Sequence, residues 1–394
     1  MMEDIAKRIT ELDLTPHGRI ERYAKKIGID LQHEPPIKAA IILALLTWLP
    51  LVILTLINGT AVGENVPVPF FKDFPPNVRF LLATPLLLLI QSVISPRIRI
   101  GAVQFVTRGI ITDKHIDEYE ENVNRVLRWR DSVYSEIFIG LFAYVMAFVT
   151  LKAGTLTESS TWYLTINGTE RTVTVAGYWY LFISTPIYQF FLYRWIYRYF
   201  LWCYFLRKVS KMKLNLIPTQ PDGMGGLGFL PFTQRVFGVF IFILSLMFAS
   251  TYAVAIVYEG VSFLDSKFTF IGLLIFLLLL FLFPLVFFAG KLIESKRSGL
   301  LKYGSLATEY NRDFDKKWIE KVNPENEQML GSGDIQSLAD LGNSFRFIQE
   351  MKMLPIDKDT IIALLISGII PMIPLLLYEV PMKDIIDALK GLVL

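Results

Sequence analysis

The sequence predicts an all-α protein: a polytopic transmembrane helical bundle of six to seven spans with a small helical cytoplasmic layer. Three observations predict it. Apolar residues make up 53% of the 394-residue chain and charged residues 19%, with a mean hydropathy of +0.46, whereas a soluble domain carries about 25% charged residues. The apolar excess is gathered into blocks of roughly twenty residues, the length that crosses a bilayer's hydrocarbon core. Finally, Lys and Arg are crowded into every second segment between those blocks. A water-soluble enzyme, a disulfide-built secreted module (one cysteine, Cys203) and a disordered chain are all excluded. The net charge of +3, from 39 basic and 36 acidic residues, suggests no nucleic-acid partner.

Seven uninterrupted apolar stretches occur, at Ala39–Ile57, Phe80–Ile94, Ile137–Leu151, Tyr178–Tyr193, Val236–Tyr258, Phe268–Ala289 and Ile361–Tyr378, and none contains Asp or Glu. About thirty-five polar residues precede the first, which argues against a cleaved signal peptide. Assigning Lys and Arg to alternate sides gives 32 against 7. Cytoplasmic loops retain basic residues, so residues 1–38 form a cytoplasmic arm and 39–290 a six-helix bundle. A helical loop at 96–133 and a Gly-rich loop at 214–235 join the arm on the cytoplasmic side. Asn58-Gly-Thr60 and Asn167-Gly-Thr169 fall on the outer side. Residues 360–394 hold the seventh stretch, which Pro371 and Pro374 interrupt. It is either a kinked crossing that leaves the carboxyl terminus outside or a re-entrant hairpin, followed by an amphipathic tail over Asp384–Leu394.

The cytoplasmic side is more than short loops. Thr112-Asp113 is suited to cap a helix that is acidic early (Asp117, Glu118, Glu120, Glu121) and basic late (Arg125, Arg128, Arg130), as the helix dipole prefers. Within 291–359, Leu306, Tyr310, Phe314 and Trp318 repeat every four residues on one stripe. Ser332 and Asp334 open a second amphipathic helix bearing Ile335, Leu338, Leu341, Phe345 and Ile348, after a polar link at Asn323–Gly333. These helices either form a layer under the bundle or simply cover its loops.

Three features carry candidate chemistry. First, fifteen of the twenty-eight residues from Tyr178 to Phe205 are aromatic, and Arg194 and Arg198 share a helix face among them. They read either as an interfacial belt with snorkelling arginines or as a cationic mouth for an anion or lipid headgroup. Second, Pro221-Asp222-Gly223-Met224-Gly225-Gly226-Leu227-Gly228 places four glycines in six positions. Such a loop permits positive φ and close backbone approach, and amides before a helix hold anions. Lys208, Lys211 and Lys213 lie just upstream. No Gly-Lys-Ser/Thr follows and no strand precedes, so this is neither a phosphate-binding loop nor a dinucleotide fingerprint. Third, Thr84-Pro85 and Thr185-Pro186 break two apolar stretches, with Gln91 and Gln189 soon after. Broken helices line transport sites, although prolines also make ordinary packing kinks. His17, His33 and His115 are scattered, so no metal site and no cofactor is expected.

At Gln220-Pro221-Asp222-Gly223-Met224-Gly225-Gly226-Leu227-Gly228-Phe229-Leu230, and at Gly331-Ser332-Gly333-Asp334-Ile335-Gln336-Ser337-Leu338-Ala339-Asp340-Leu341-Gly342-Asn343-Ser344, the chain resembles a family of uncharacterised prokaryotic multipass membrane proteins. Leu46-Leu-Thr-Trp-Leu-Pro50 and Tyr258-Glu259-Gly260 extend the resemblance along the chain. Many relatives have His-Pro-Asp where this chain has Gln220-Pro221-Asp222, which weakens histidine chemistry there. The resemblance implies a multipass architecture in a prokaryotic cell membrane and no activity. The leading expectation is a channel or passive transporter, favouring anions. Its neutral polar pathway would run along Thr84, Pro85, Gln91, Thr185, Pro186 and Gln189, with Arg194 and Arg198 at the inner mouth. The alternative is a lipid- or headgroup-handling enzyme with Asp222 as its catalytic residue and Lys208, Lys211, Gly223, Gly225, Gly226 and Gly228 around the headgroup. A scaffold that binds a soluble partner through its cytoplasmic helices is a third. Membrane lipids and further copies of the chain are the expected partners.

Overall fold

The computed structural model describes residues 36–154, 161–167, 170–258, 260–320 and 331–379. The N-terminal arm to residue 35 with His17 and His33, the end of the Asn167 triplet, most of the Asn323–Gly333 link and the amphipathic tail lie outside the described residues.

The apolar blocks fold as helices turned inside out relative to a soluble protein. In α1 (Ile37–Ile57), Ile41, Ile42, Leu45, Leu49 and Ile53 are exposed while Thr47 and Thr55 are fully buried. Their hydroxyls donate to the carbonyls of Leu43 at 2.9 Å and Leu51 at 2.7 Å, so neither polar group is left unpaired away from water. In α4 (Val133–Gly154), Ile137, Phe138, Leu141, Val145 and Phe148 form an exposed apolar surface. Surfaces of that size are stable only against lipid or protein. Among the described residues six helical stretches are long and apolar enough to cross a membrane: Ile37–Ile57, Phe74–Thr107, Val133–Thr150, Phe229–Tyr258, Lys267–Val286 and Lys358–Glu379.

The order along the chain is α1, then α2 (Phe74–Thr107), which continues through Pro96 and so carries the helix past the loop boundary expected at residue 96. Ser92, whose carbonyl Pro96 frees, is exposed. A short 3-10 turn at Asp113–His115 leads into α3 (Ile116–Arg130), with acidic residues in its first turn and basic residues in its last. Thr112 makes no capping hydrogen bond; the turn itself takes the place of the expected cap. After α4, β1 (Leu164–Asn167) pairs antiparallel with β2 (Glu170–Val173). Next come α5 (Val175–Trp179), a five-residue wide turn at Tyr180–Ser184, and α6 (Thr185–Lys211). The Gly-rich loop precedes α7 (Phe229–Arg235), α8 (Gly238–Tyr258) and α9 (Lys267–Val286). The chain continues as α10 (Ala289–Phe314), α11 (Gly333–Glu350), α12 (Lys358–Ile369) and, after a 3-10 turn, α13 (Ile373–Glu379).

Two ends of the bundle are well defined. At the hairpin end Trp162 packs edge-on against Phe70 and its indole donates to Asp73 at 2.8 Å, and Phe74 stacks on Tyr258. At the glycine-loop end Asn215 N–H donates to Ile110 O and Lys352 N–H to Gly223 O, each at 2.8 Å. The aromatic rod α5–α6 is not among the six apolar stretches, because its tyrosines, tryptophans and Gln189 lower its hydropathy before its arginines and lysines begin at Arg194. It nevertheless joins the same two ends, with Tyr180 against Arg79 at one and Met212 against Asn122 at the other. The last stretch does the same. Asp357, which precedes α12, meets Arg235, while Glu379 at the end of α13 accepts from Ser262 and the Phe263 N–H. Pro371 sits in the 3-10 turn at Ile370–Met372 and Pro374 in the first turn of α13.

The proline break in α9 is closed by a side chain. Pro284 inside α9 has no N–H for the Leu280 carbonyl, and the Tyr199 hydroxyl takes its place at 2.6 Å. Gln234 donates to the next carbonyl, Phe281, and accepts from the Trp202 indole at 3.0 Å. Backbone freed inside a membrane is tolerated when it is satisfied in this way. Below the bundle α10 packs on α11, with Lys317 and the Trp318 indole donating to the Asp334 carboxylate at 3.0 and 2.9 Å.

Candidate functional site

The two Thr-Pro pairs are built alike. Each proline would drive its ring into the carbonyl four residues back, and in each helix the preceding turn is widened to accommodate it: Arg79–Ala83 before Thr84-Pro85, and Tyr180–Ser184 before Thr185-Pro186. Each wide turn closes with the Thr N–H on the carbonyl of the turn's first residue, Arg79 or Tyr180. Such single wide turns are rare within α-helices and occur frequently at functional sites. The two turns are tied together, since Arg79 Nη1 donates to the Tyr180 hydroxyl at 2.8 Å. The broken helices touch again where the Trp195 indole donates to the Leu87 carbonyl at 2.7 Å.

The polar side chains at these breaks are buried. Thr84 and Thr185 are 0% and 1% exposed, and Gln91 and Gln189 are 4% and 8% exposed. Thr84 Oγ1 donates to the Arg79 carbonyl at 2.7 Å. Among the described residues its counterpart Thr185 Oγ1 has no hydrogen-bond partner, nor have Gln189 Oε1 one turn further on and Arg79 Nε. Thr185 and Gln189 lie four apart on one face of α6, and Gln91 and buried Ser95, whose Oγ is also unpaired, lie four apart on α2. An unmet polar atom in a buried site costs about 1–3 kcal/mol, so the atoms left unmet beside the breaks favour a polar partner.

Arg79 is the residue that sequence reasoning missed. Counted only as one of two cations in an outer loop, it lies instead inside the hairpin end, 5.3 Å from the Tyr188 ring. Among the described residues Asp73 is a carboxylate whose charge acts on it, and the two form no salt bridge. Burial pushes the Asp73 carboxyl above the ordinary aspartate range, against the pull of the Trp162 N–H and the Arg79 guanidinium. Asn77 braces the same end. It accepts from the Trp48 indole at 2.8 Å and donates to the carbonyls of Phe70 and Asp73, both at 2.7 Å.

Arg194 and Arg198 are 6% and 3% exposed. They are enclosed by the bundle, Arg194 over the Phe190 ring at 6.0 Å and Arg198 over Trp195 at 4.7 Å, rather than lining an open mouth. Lys208 stands over Tyr204 at 5.5 Å and Lys211 is exposed. In the glycine loop, Gly223, Gly225 and Gly226 have φ of 62°, 64° and 100°, which only glycine adopts at little cost. The amides those angles expose are directed inward. Met224, Gly226 and Gly228 N–H donate to the Asp222 carboxylate at 2.8, 3.1 and 3.0 Å, with Arg108 at 4.0 Å. The loop therefore already holds its own anion. Beside it a groove of about 560 Å³ runs between Arg97, Arg108, Lys352 and Asp357. Among the described residues no group of three His, Cys, Asp or Glu side chains is placed to hold a metal ion.

Fold and site together define a multipass α-helical membrane protein with a buried polar cluster at paired helix breaks. Comparisons of the chain with protein-family models, with curated proteins and with solved structures find no match.

Proposed function

We propose that this chain is a passive membrane transport protein for small anions, and that the paired breaks are its solute-binding step. The observation that carries this reading is the half-buried Arg79, which bridges the two wide turns while its buried Nε and the Thr185 hydroxyl have no hydrogen-bond partner among the described residues. A part-buried cation with spare donor capacity is stabilised by an incoming anion. Thr185, Gln189 and the tyrosine hydroxyls supply neutral polar groups that would replace part of its hydration shell. A passive route is favoured because none of the seven apolar stretches carries Asp or Glu, and coupled carriers usually place carboxylates there. Asp73 moderates the field of Arg79 so that an anion would bind weakly enough to leave.

The same reading places the glycine-loop end in the cytosol, from the 32 to 7 division of Lys and Arg. It also places the chain in a prokaryotic cell membrane, from the resemblance of its two long motifs, and in a homo-oligomer. A headgroup-handling enzyme is less favoured, because Asp222 is engaged by three amides of its own loop. The test is anion efflux from proteoliposomes under a clamped potential. Wild-type protein is expected to release chloride or nitrate faster than empty vesicles, and Arg79→Gln to lose at least tenfold of that excess. Efflux that equals vesicle leak at every potential and pH overturns the reading.

A further inference from the structure

A second cationic site lies away from the breaks, at the glycine-loop end, between α10 and the extended segment that leaves α6. It is a cavity of about 400 Å³ lined by Lys213, Lys291, Lys302, Ser295, Ser298 and Tyr303, with Leu214 and Leu216 on one wall. Its construction follows from the helix period. Lys291, Ser295, Ser298 and Lys302 are spaced four, three and four apart, which sets them on one face of α10. The two serines leave room where longer side chains would fill the groove. Gly299 brings the opposing segment close, since a Cβ there would meet Pro218 at 2.8 Å.

The charge on this cavity is not neutralised within the described residues. Lys213, Lys291 and Lys302 form no salt bridge there, and one acid, Glu294, stands against the three lysines. Lys296, by contrast, is spent on the Met351 carbonyl at 2.8 Å. The groove beside the glycine loop is closer to balance, with Asp222 and Asp357 against Arg97, Arg108 and Lys352. The cavity also lies close to the end of an apolar stretch, since Lys291 follows the end of α9 at Val286 by five residues. Three ammonium groups with hydroxyl donors and an apolar wall match a phosphate group, and basic pockets at a helix-bundle surface bind phosphorylated headgroups.

We propose that this cavity binds a phosphate-bearing ligand, held by Lys213, Lys291 and Lys302 with Ser295, Ser298 and Tyr303 as hydrogen-bond donors. The site is independent of the transport reading, because it shares no residue with the paired breaks.

The test uses the full chain in a neutral detergent, titrated with phosphatidylglycerol, phosphatidylcholine, inorganic phosphate and pyrophosphate, with binding read as a change in intrinsic tryptophan fluorescence and as a thermal shift. Phosphatidylglycerol is expected to bind at least tenfold more tightly than phosphatidylcholine. The triple variant K213Q/K291Q/K302Q is expected to lose that preference, and the corresponding triple arginine variant to keep it. Displacement by pyrophosphate at millimolar concentration identifies a soluble phosphate ligand, and its failure to displace identifies the lipid headgroup. Equal binding of the two lipids by wild type, or undiminished preference in the triple glutamine variant, overturns the proposal. Should that variant not fold, Lys302→Gln, at an exposed position, carries the same comparison with Lys316→Gln as control. Anion efflux by the triple variant is expected to equal wild type, so failure of this site and failure of the transport reading are separable.

Discussion

Removing the Asp222 carboxylate tests what the glycine loop is for. The side chain accepts three backbone N–H bonds, from Met224 and Gly226 on Oδ1 and from Gly228 on Oδ2. Hydrogen bonds to a charged group contribute about 1.5–3 kcal/mol each. They do not add fully here, because Asp222 is only part-buried and water re-solvates part of what Asp222→Ala exposes. A net local loss of roughly 3 kcal/mol is the expected result, about a hundredfold in an opening equilibrium. The assay is amide hydrogen exchange on residues 222–230 in detergent, which reads local opening directly. Asp222→Ala is expected to speed exchange at Met224, Gly226 and Gly228 by about a hundredfold. Asp222→Asn, which retains one acceptor oxygen, is expected to speed it by about tenfold, mainly at Gly228. Exchange within about threefold of wild type in both variants would refute the anchoring role and return Asp222 to the pool of candidate reactive groups.

Four further outcomes follow from named contacts. Tyr199→Phe leaves the Leu280 carbonyl freed by Pro284 without a donor and is expected to cost about 1 kcal/mol. In a Pro284→Leu background, where the backbone N–H returns, the same substitution is expected to cost less than half of that, and equal costs in a thermal-stability cycle would contradict the assignment. Gly177→Ala would set a Cβ 2.2 Å from the Tyr163 backbone oxygen, so the hairpin end is expected to lose its packing, seen as loss of monodisperse protein on size-exclusion chromatography. Asp334 is held below the ordinary aspartate range by its bonds from Lys317 and Trp318. A depressed folded pKa stabilises above the unfolded value of 3.8 and loses that contribution as pH falls through the folded one. Acid is therefore expected to release α11 from α10 only below pH about 4, with Asp334→Asn already showing the acid-like Trp318 fluorescence at pH 7. A cysteine placed at Glu170 and one placed at Lys302 are expected to label from opposite sides of sealed vesicles, and labelling from one side would undo the topology.

Much of the bundle is legible from composition and charge, because lipid imposes coarse rules: apolar runs of fixed length and basic residues on one side. The Thr-Pro pairs are legible for a local reason, since proline removes a donor wherever it sits. The wide turns before them are not. They have no residue signature and arise from how the helix absorbs the proline ring. Arg79 illustrates the remaining gap. In the sequence it is one cation in a presumed outer loop, and only the long-range approach of Tyr180 and Tyr188 turns it into a half-buried bridge. The burial of Arg194 and Arg198 likewise depends on helices distant in sequence. Asp222 reads locally as a turn residue, but its grip on three amides depends on glycine φ values that spacing alone does not specify.

On the proposed reading, anions pass by way of Arg79 at the paired breaks. The decisive measurement is current across a planar bilayer containing the purified protein under a tenfold chloride gradient. Wild type is expected to reverse close to the chloride equilibrium potential, with the current collapsing in Arg79→Gln and partly retained in Arg79→Lys. A reversal at the cation's equilibrium potential, or an Arg79→Gln current indistinguishable from wild type, would contradict it.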